Sequence, residues 1–340
     1  MKSLSIKKLK RLLALSIFLL VILLIYVSYL KVKVDHLPLA KEISSYFIED
    51  ARAIDENNTS IVSNDGEGDN EEQLDHLLDV EGRVSEEETP ENEALQRDAI
   101  IDQNKIDTTS EIEIKTPTID RNKFHSTFGR EVVFIYFSHN RESFLPYFNK
   151  GTLPENAYHS DFNVSLIGER LGKALKHNGV WSSVSEVDII TMLDERKLNF
   201  NSSYQMSREL VVDAKRNNRN LELFFDLHRD SLPKKYTTMN FNGEPYAKIS
   251  FVIGSGHPNY KENLAFTNEL NDRINQTYPG LSRGVIIKDS SQGNGVYNQD
   301  LSPSSVIIEV GGVDNTIEEL YRTADVLGFV IGQYYWGTVN

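Results

Sequence analysis

Four short apolar runs, alternating with stretches of helical period, limit what the second half of this chain can fold into. They are EVVFIYF (131–137), LELFFDL (221–227), AKISFVIG (247–254) and SSVIIEVGG (304–312), and each ends in polar residues or glycine, as strands buried on both faces do. In FNVSLIGERLGKALKHNG (162–179), Val164, Ile167, Leu171 and Leu175 recur at helical spacing, Asp161 is placed to cap the start, and Gly179 suits the left-handed position past the end. The same reasoning predicts helices near 203–217, 261–277 and 316–334. The alternation predicts an α/β domain over residues 125–340, with a mostly parallel sheet covered by helices on both faces.

The first half reads differently. Residues 12–30, LLALSIFLLVILLIYVSYL, hold only apolar, aromatic and serine side chains over 19 positions, about what a helix needs to cross a hydrocarbon core of roughly 30 Å. Lys2, Lys7, Lys8, Lys10 and Arg11 precede this transmembrane segment, against Lys31 and Lys33 behind it. That excess predicts residues 1–11 as a cytoplasmic tail and everything past residue 30 as extracytoplasmic. The run exceeds the apolar core of a signal peptide and no small-x-small site follows before KVKVDHL, which favours a retained anchor over a cleaved leader.

Between Asp55 and Asp98 stand 16 acidic residues against only Arg83 and Arg97, a local balance equal to the net charge of −14 carried by the whole chain. Few aromatics and so dense a run of like charge cannot bury enough apolar surface to offset ordering entropy, so residues 31–124 read as a largely disordered, acidic stalk. Nucleic acid is not an expected partner of an acidic chain. The absence of cysteine excludes disulfides and thiolate metal sites, leaving imidazole and carboxylate for any metal.

In sheets of this kind the ligand site lies beyond the carboxyl ends of the strands. There the chain places His139 and Glu142 after the first run, His228 in DLHRDS after the second, and Glu309 in VIIEVGG. Two imidazoles and a carboxylate make a three-ligand zinc site that leaves a fourth position for water, and a further glutamate can take that water's proton. The order His-x-x-Glu, distant His, distant Glu is also that of zinc carboxypeptidases. Asp226 and Asp230 flank His228, so a carboxylate to orient its imidazole is close at hand. Which way Glu309 points cannot be read from a run apolar on both faces.

VFIYFSHNRESFLP, FFDLHRDS, YPGLSRGV, YNQDLSPSSVIIEVGG and NTIEELYRTADVL, in that order over residues 129–340, resemble the stage II sporulation protein P family of membrane-anchored peptidoglycan hydrolases. The resemblance implies an N-acetylmuramoyl-L-alanine amidase fold, Zn2+ as cofactor, cleavage of the amide between muramic acid and the stem peptide, and an added endopeptidase activity. It implies a role in septal thinning and engulfment during sporulation, a place in the cell membrane at the sporulation septum, and stage II sporulation proteins D and M as partners. His139 and His228 fall on the family's metal histidines, Glu309 on its catalytic glutamate and Glu142 on the glutamate of His-x-x-Glu; His159 rivals Glu142 as third ligand. Where many relatives have a second histidine two positions before His139, this chain has Phe137, so a ligand or proton-shuttle role there is absent. Arg141, Arg229 and Arg283 could bind stem-peptide carboxylates. The alternatives are a zinc carboxypeptidase acting on stem peptides and a non-catalytic, membrane-anchored wall-binding scaffold.

Overall fold

The computed structural model describes residues 98–106 and 125–339. The segment at 12–30, the tail before it and most of the stalk lie outside the described residues, among which no helix is long and apolar enough to cross a membrane.

Eight strands run in chain order as β1 (Glu131–Tyr136), β2 (Trp181–Val184), β3 (Leu223–Asp230), β4 (Thr238–Phe241), β5 (Glu244–Ala247), β6 (Ile249–Gly254), β7 (Ser282–Lys288) and β8 (Ser305–Gly312). The main helices are α1 (Ser165–His177), α2 (Ile189–Arg196), α3 (Ser203–Asn217), α4 (Tyr260–Thr277) and α5 (Ile317–Val339). Six strands form one sheet in the order β2-β1-β3-β8-β6-β7, while β4 and β5 make a separate hairpin. All neighbours in the sheet are parallel except β8 and β6. The reversal has a simple cause. A parallel return needs a crossover, and the chain between β3 and β6 holds only a one-turn helix and the hairpin, so β6 starts at the edge where β3 ended and runs back.

Strand alternation splits the packing. Val133, Ile135, Leu223, Phe225, Leu227, Val306, Ile308 and Val310 face one way into the main core, shared with Ile167, Leu171 and Leu175 of α1, Leu270 and Ile274 of α4, and Leu327 and Val330 of α5. Phe134, Tyr136 and Phe224 face the other way, against Val211 of α3. Helices thus cover both faces, as the alternating runs predict. Phe137 lies in the main core, where its ring meets α1 so closely that a Cβ on Gly168 would come within 2.3 Å of it. The largely buried Arg170 guanidinium spans α1 and α5 through two hydrogen bonds of 2.6 Å to Asp325, which pairs both charges where little water reaches them.

The start of α1 differs from expectation. The helix begins at Ser165 with Val164 as its N-cap, because the His159 ring and the Asn163 side chain hold the preceding turn: Nδ1 of His159 accepts the N–H groups of Asp161 and Phe162, and Asn163 accepts that of Ser165. Its end is as expected, with Gly179 at φ +80°.

Within the segment read as a largely disordered stalk, the described residues Asp98–Ile106 dock on the domain. The N–H of Ala99 donates to Tyr158 O at 3.0 Å and that of Asp102 to Tyr147 O at 2.9 Å, while Ala99 and Ile101 pack against Phe148, Ala157 and Val313. The apolar AII within DAIIDQ supplies what the acidic stretch before it lacks.

Candidate metal centre

β1 ends at Tyr136, and the turn that follows carries His139 and Glu142, closed by a hydrogen bond from the Glu142 N–H to His139 O at 3.1 Å. β3 delivers His228 beside this turn. His139 Nδ1 lies 3.6 Å from Glu142 Oε1, and His228 Nδ1 lies 3.5 Å from Glu142 Oε2. The carboxylate thus lies between the two imidazoles with one oxygen toward each, an arrangement of donors compatible with a divalent cation. One donor atom from each of the three residues falls within 4.8 Å of the other two, and among the described residues no other trio of such side chains does so.

The tautomer of His228 follows from counting protons. Ser138 Oγ stands 2.7 Å from Asp226 Oδ2 and 2.9 Å from His228 Nε2. The Asp226 carboxylate only accepts, so the one Ser138 proton goes to it and Ser138 can offer His228 only a lone pair. Nε2 therefore keeps its proton in either charge state of the ring, shared with Asp226 Oδ1 at 3.2 Å, and the proton on Nδ1, facing Glu142, is the one an ion would replace. Burial alone would lower the His228 pKa, but the charges of Asp226 and Glu142 raise it well above the ordinary value. Burial pushes Glu142 up, yet the charge of His228 and hydrogen bonds from both histidines hold it well below the carboxylate range. A pocket whose field draws a proton draws a metal ion to the same place.

Glu142 Oε2 also accepts the N–H of Arg229 at 2.9 Å, which ties the β1 turn to β3. Glu309 lies on β8 in register with His228 on one side and with Ser250 of β6 on the other, which places it on the same face of the sheet as the imidazole. Alternation resolves here what an apolar run leaves open.

His159 stays apart. Its Nδ1 is taken by the two backbone amides before α1, and it lines a cavity of about 510 Å³ with Leu166, Lys173 and Tyr321. The three arginines each hold protein partners. Arg141 meets Asp188 with a forked contact as short as 2.6 Å, and the buried Arg229 donates to Ser143 O at 2.9 Å. Arg283, at the start of β7, donates to Asp230 and, at 2.8 Å, to Ser250, the residue next to Glu309.

Sequence reading missed the aromatic wall at the start of α3, made by Phe200 in the turn before it and Tyr204 in its first turn. Phe200 stacks on the His139 ring at 4.6 Å, and Tyr204 meets the same ring edge-on at 5.4 Å. The Tyr204 phenol is raised well above its ordinary pKa, first by burial and next by the charge of Asp226, against a hydrogen bond with Ser138 that lowers it. NFNSSYQM carries no mark of this, since an aromatic near a helix start packs as readily into an ordinary core.

The chain matches the family model of stage II sporulation protein P over residues 39–332. It is 44% identical over 211 residues to the stage II sporulation protein P of Bacillus subtilis (strain 168), a match covering 62% of this chain and 53% of that protein, so the chain spans about half the length of this curated relative. Among solved structures, the CwlD amidase from Clostridioides difficile in complex with the GerS lipoprotein is 14% identical, with 62% of this chain and all of that chain covered at a TM-score of 0.37. A putative N-acetylmuramoyl-L-alanine amidase from Neisseria meningitidis is 8% identical, with 61% and 96% covered at a TM-score of 0.31. Likenesses so slight carry no weight for function. The family model spans every strand and turn of the candidate metal centre, and with it the chain belongs to the stage II sporulation protein P family.

Proposed function

We propose that this protein is a metal-dependent peptidoglycan hydrolase that cleaves the amide between N-acetylmuramic acid and L-alanine, with an added endopeptidase activity on stem peptides. The observation that carries this reading is the convergence of His139, Glu142 and His228 at strand ends, with Glu309 one strand away on the same face. The three would hold a divalent ion, Zn2+ in this reading, which when bound polarises the scissile carbonyl and acidifies a water. Glu309 accepts that water's proton and returns it to the leaving amine. Asp226 and Ser138 keep the proton of His228 on Nε2 throughout, so Nδ1 stays available. In this reading Arg283, held beside Glu309 through Ser250, meets a stem-peptide carboxylate, while Phe200 and Tyr204 pack on the His139 ring.

The setting proposed is the sporulation septum, with the domain outside a single membrane anchor and stage II sporulation proteins D and M as partners in septal thinning and engulfment. Incubating the full chain, solubilised with zinc, with purified peptidoglycan and identifying products by mass spectrometry tests the chemistry. Free stem peptides are expected. Released single D-alanines would instead mark a carboxypeptidase, and the absence of product a wall-binding scaffold.

A further inference from the structure

The two residues between His139 and Glu142 turn away from the metal centre, and both turn to the same carboxylate. Asn140 Nδ2 donates to Asp188 Oδ1 at 2.9 Å. Arg141 donates through Nε to both oxygens at 3.2 and 3.1 Å and through Nη2 to Oδ2 at 2.6 Å. The same carboxylate caps α2, accepting the Ile190 N–H at 3.1 Å and the Thr191 hydroxyl at 2.9 Å. Asn140 completes the clasp, since its Oδ1 accepts the Ile189 N–H at 3.0 Å.

We propose that Asp188 is a positioning residue for the metal centre, fixing the His139–Glu142 turn to the α2–α3 pair through Asn140 and Arg141. It touches neither substrate nor ion. The α2–α3 pair has its own small core of Ile189, Ile190, Leu193 and Met206, so it can serve as a rigid support. It reaches the turn from two sides, with Asp188 at the head of α2 and Phe200 stacked on the His139 ring. Two ligands on one short turn owe their separation to that turn's conformation, and the turn's own hydrogen bond is a single one of 3.1 Å. The turn's backbone is held further by the His159 N–H on Arg141 O at 2.9 Å and the Val164 N–H on Glu142 O at 2.8 Å, and the clasp adds the side-chain grip on its two middle residues, which gives Arg141 work other than substrate binding. The proposal rests on the reading of His139, Glu142 and His228 as metal ligands.

The test compares Asp188→Ser, Asp188→Ala and Arg141→Gln in the full chain. Serine retains an acceptor for the α2 cap but lacks the charge and second oxygen that grip Arg141, alanine loses both, and Arg141→Gln leaves the cap untouched. Zinc affinity is read by competition with a chromophoric chelator, and thermal unfolding is followed in EDTA. Asp188→Ser and Arg141→Gln are expected to bind zinc about 10- to 100-fold more weakly while melting within about 5 °C of the parent in EDTA. If both bind zinc like the parent, or only Asp188→Ala is weakened and in step with its melting temperature, Asp188 is a helix cap alone and the proposal falls. If the folded parent binds no zinc, the metal reading itself falls and takes this one with it.

Discussion

The two faces of the sheet are built from the same strands and obey different rules. On β3 the residues Leu223, Phe225 and Leu227 face the main core, while Asp226 and His228 alternate with them on the α3 side. Both sets are buried. The apolar set is stabilised by area alone, at roughly 25 cal/mol per Å² removed from water. The polar set is tolerated only because its members satisfy one another: Asp226 accepts both the N–H and the hydroxyl of Ser138, and Ser138 accepts from His228. The difference teaches where to look for chemistry in a doubly covered sheet, on whichever face the alternation puts buried charge.

The sharpest way to break this contrast is Glu309→Gln. The amide cannot take a proton from water, so turnover on peptidoglycan should fall by about 10²- to 10⁴-fold with zinc still bound near one equivalent. Should zinc leave with Glu309→Gln while Glu142→Ala retains metal and activity, the two glutamates have exchanged roles. On the opposite face, Phe225→Ala removes a fully buried ring and should cost about 3–5 kcal/mol in denaturant unfolding, yet each molecule that folds should bind zinc with unchanged affinity. A loss of affinity larger than the loss of stability would mean that the two faces are coupled and the contrast is false.

How much of this was legible in the sequence follows the same division. The four apolar runs come within two residues of β1, β3, β6 and β8 at each end, apart from the polar tail of β3, because central strands buried on both sides have an unmistakable composition. His139, Glu142, His228 and Glu309 stood out because they interrupt or end such runs. β2 and β7 escaped notice because both lie at the sheet's edges, and WSSV and SRGVIIK are only partly buried. The direction of β6 was hidden because periodicity does not tell which way a strand runs. The supporting residues were hidden for a different reason: Ser138 meets Asp226 across 88 positions of chain, and Arg141 meets Asp188 across 47. A serine, an asparagine or an aspartate alone carries no sign of a partner so distant. The docked strap at Asp98–Ile106 was obscured by the acidic stretch before it, whose charge density argues for disorder up to the residue where the apolar AII begins.

That strap gives a test of intermediate size. Ile101 is only partly buried against Phe148 and its neighbours, so Ile101→Ala should cost about 1 kcal/mol, less than the 1.5–3 kcal/mol of a fully buried aliphatic side chain. Thermal unfolding of the full chain measures it. No change would return residues 98–106 to the stalk.

The smallest expected effect lies at the rim of the polar face and depends on pH. Burial pushes the Asp188 carboxyl up, but hydrogen bonds from Arg141, Asn140 and Thr191 outweigh it and hold the group below the ordinary carboxylate range. A carboxyl whose pKa is lowered by folding stabilises the fold above its unfolded pKa, and that contribution is lost as pH falls through the lower folded value. Asp188→Asn has no such contribution at any pH. Urea unfolding of the parent and of Asp188→Asn should therefore differ by about 0.5 kcal/mol near pH 7, and the gap should close as pH drops below about 4. The parent should lose stability toward the variant, rather than the variant gaining it. A gap that stays constant down to pH 2 would show that what the variant loses is the shape of the clasp and not its charge, and Arg141 would then have to be held in place by something other than Asp188.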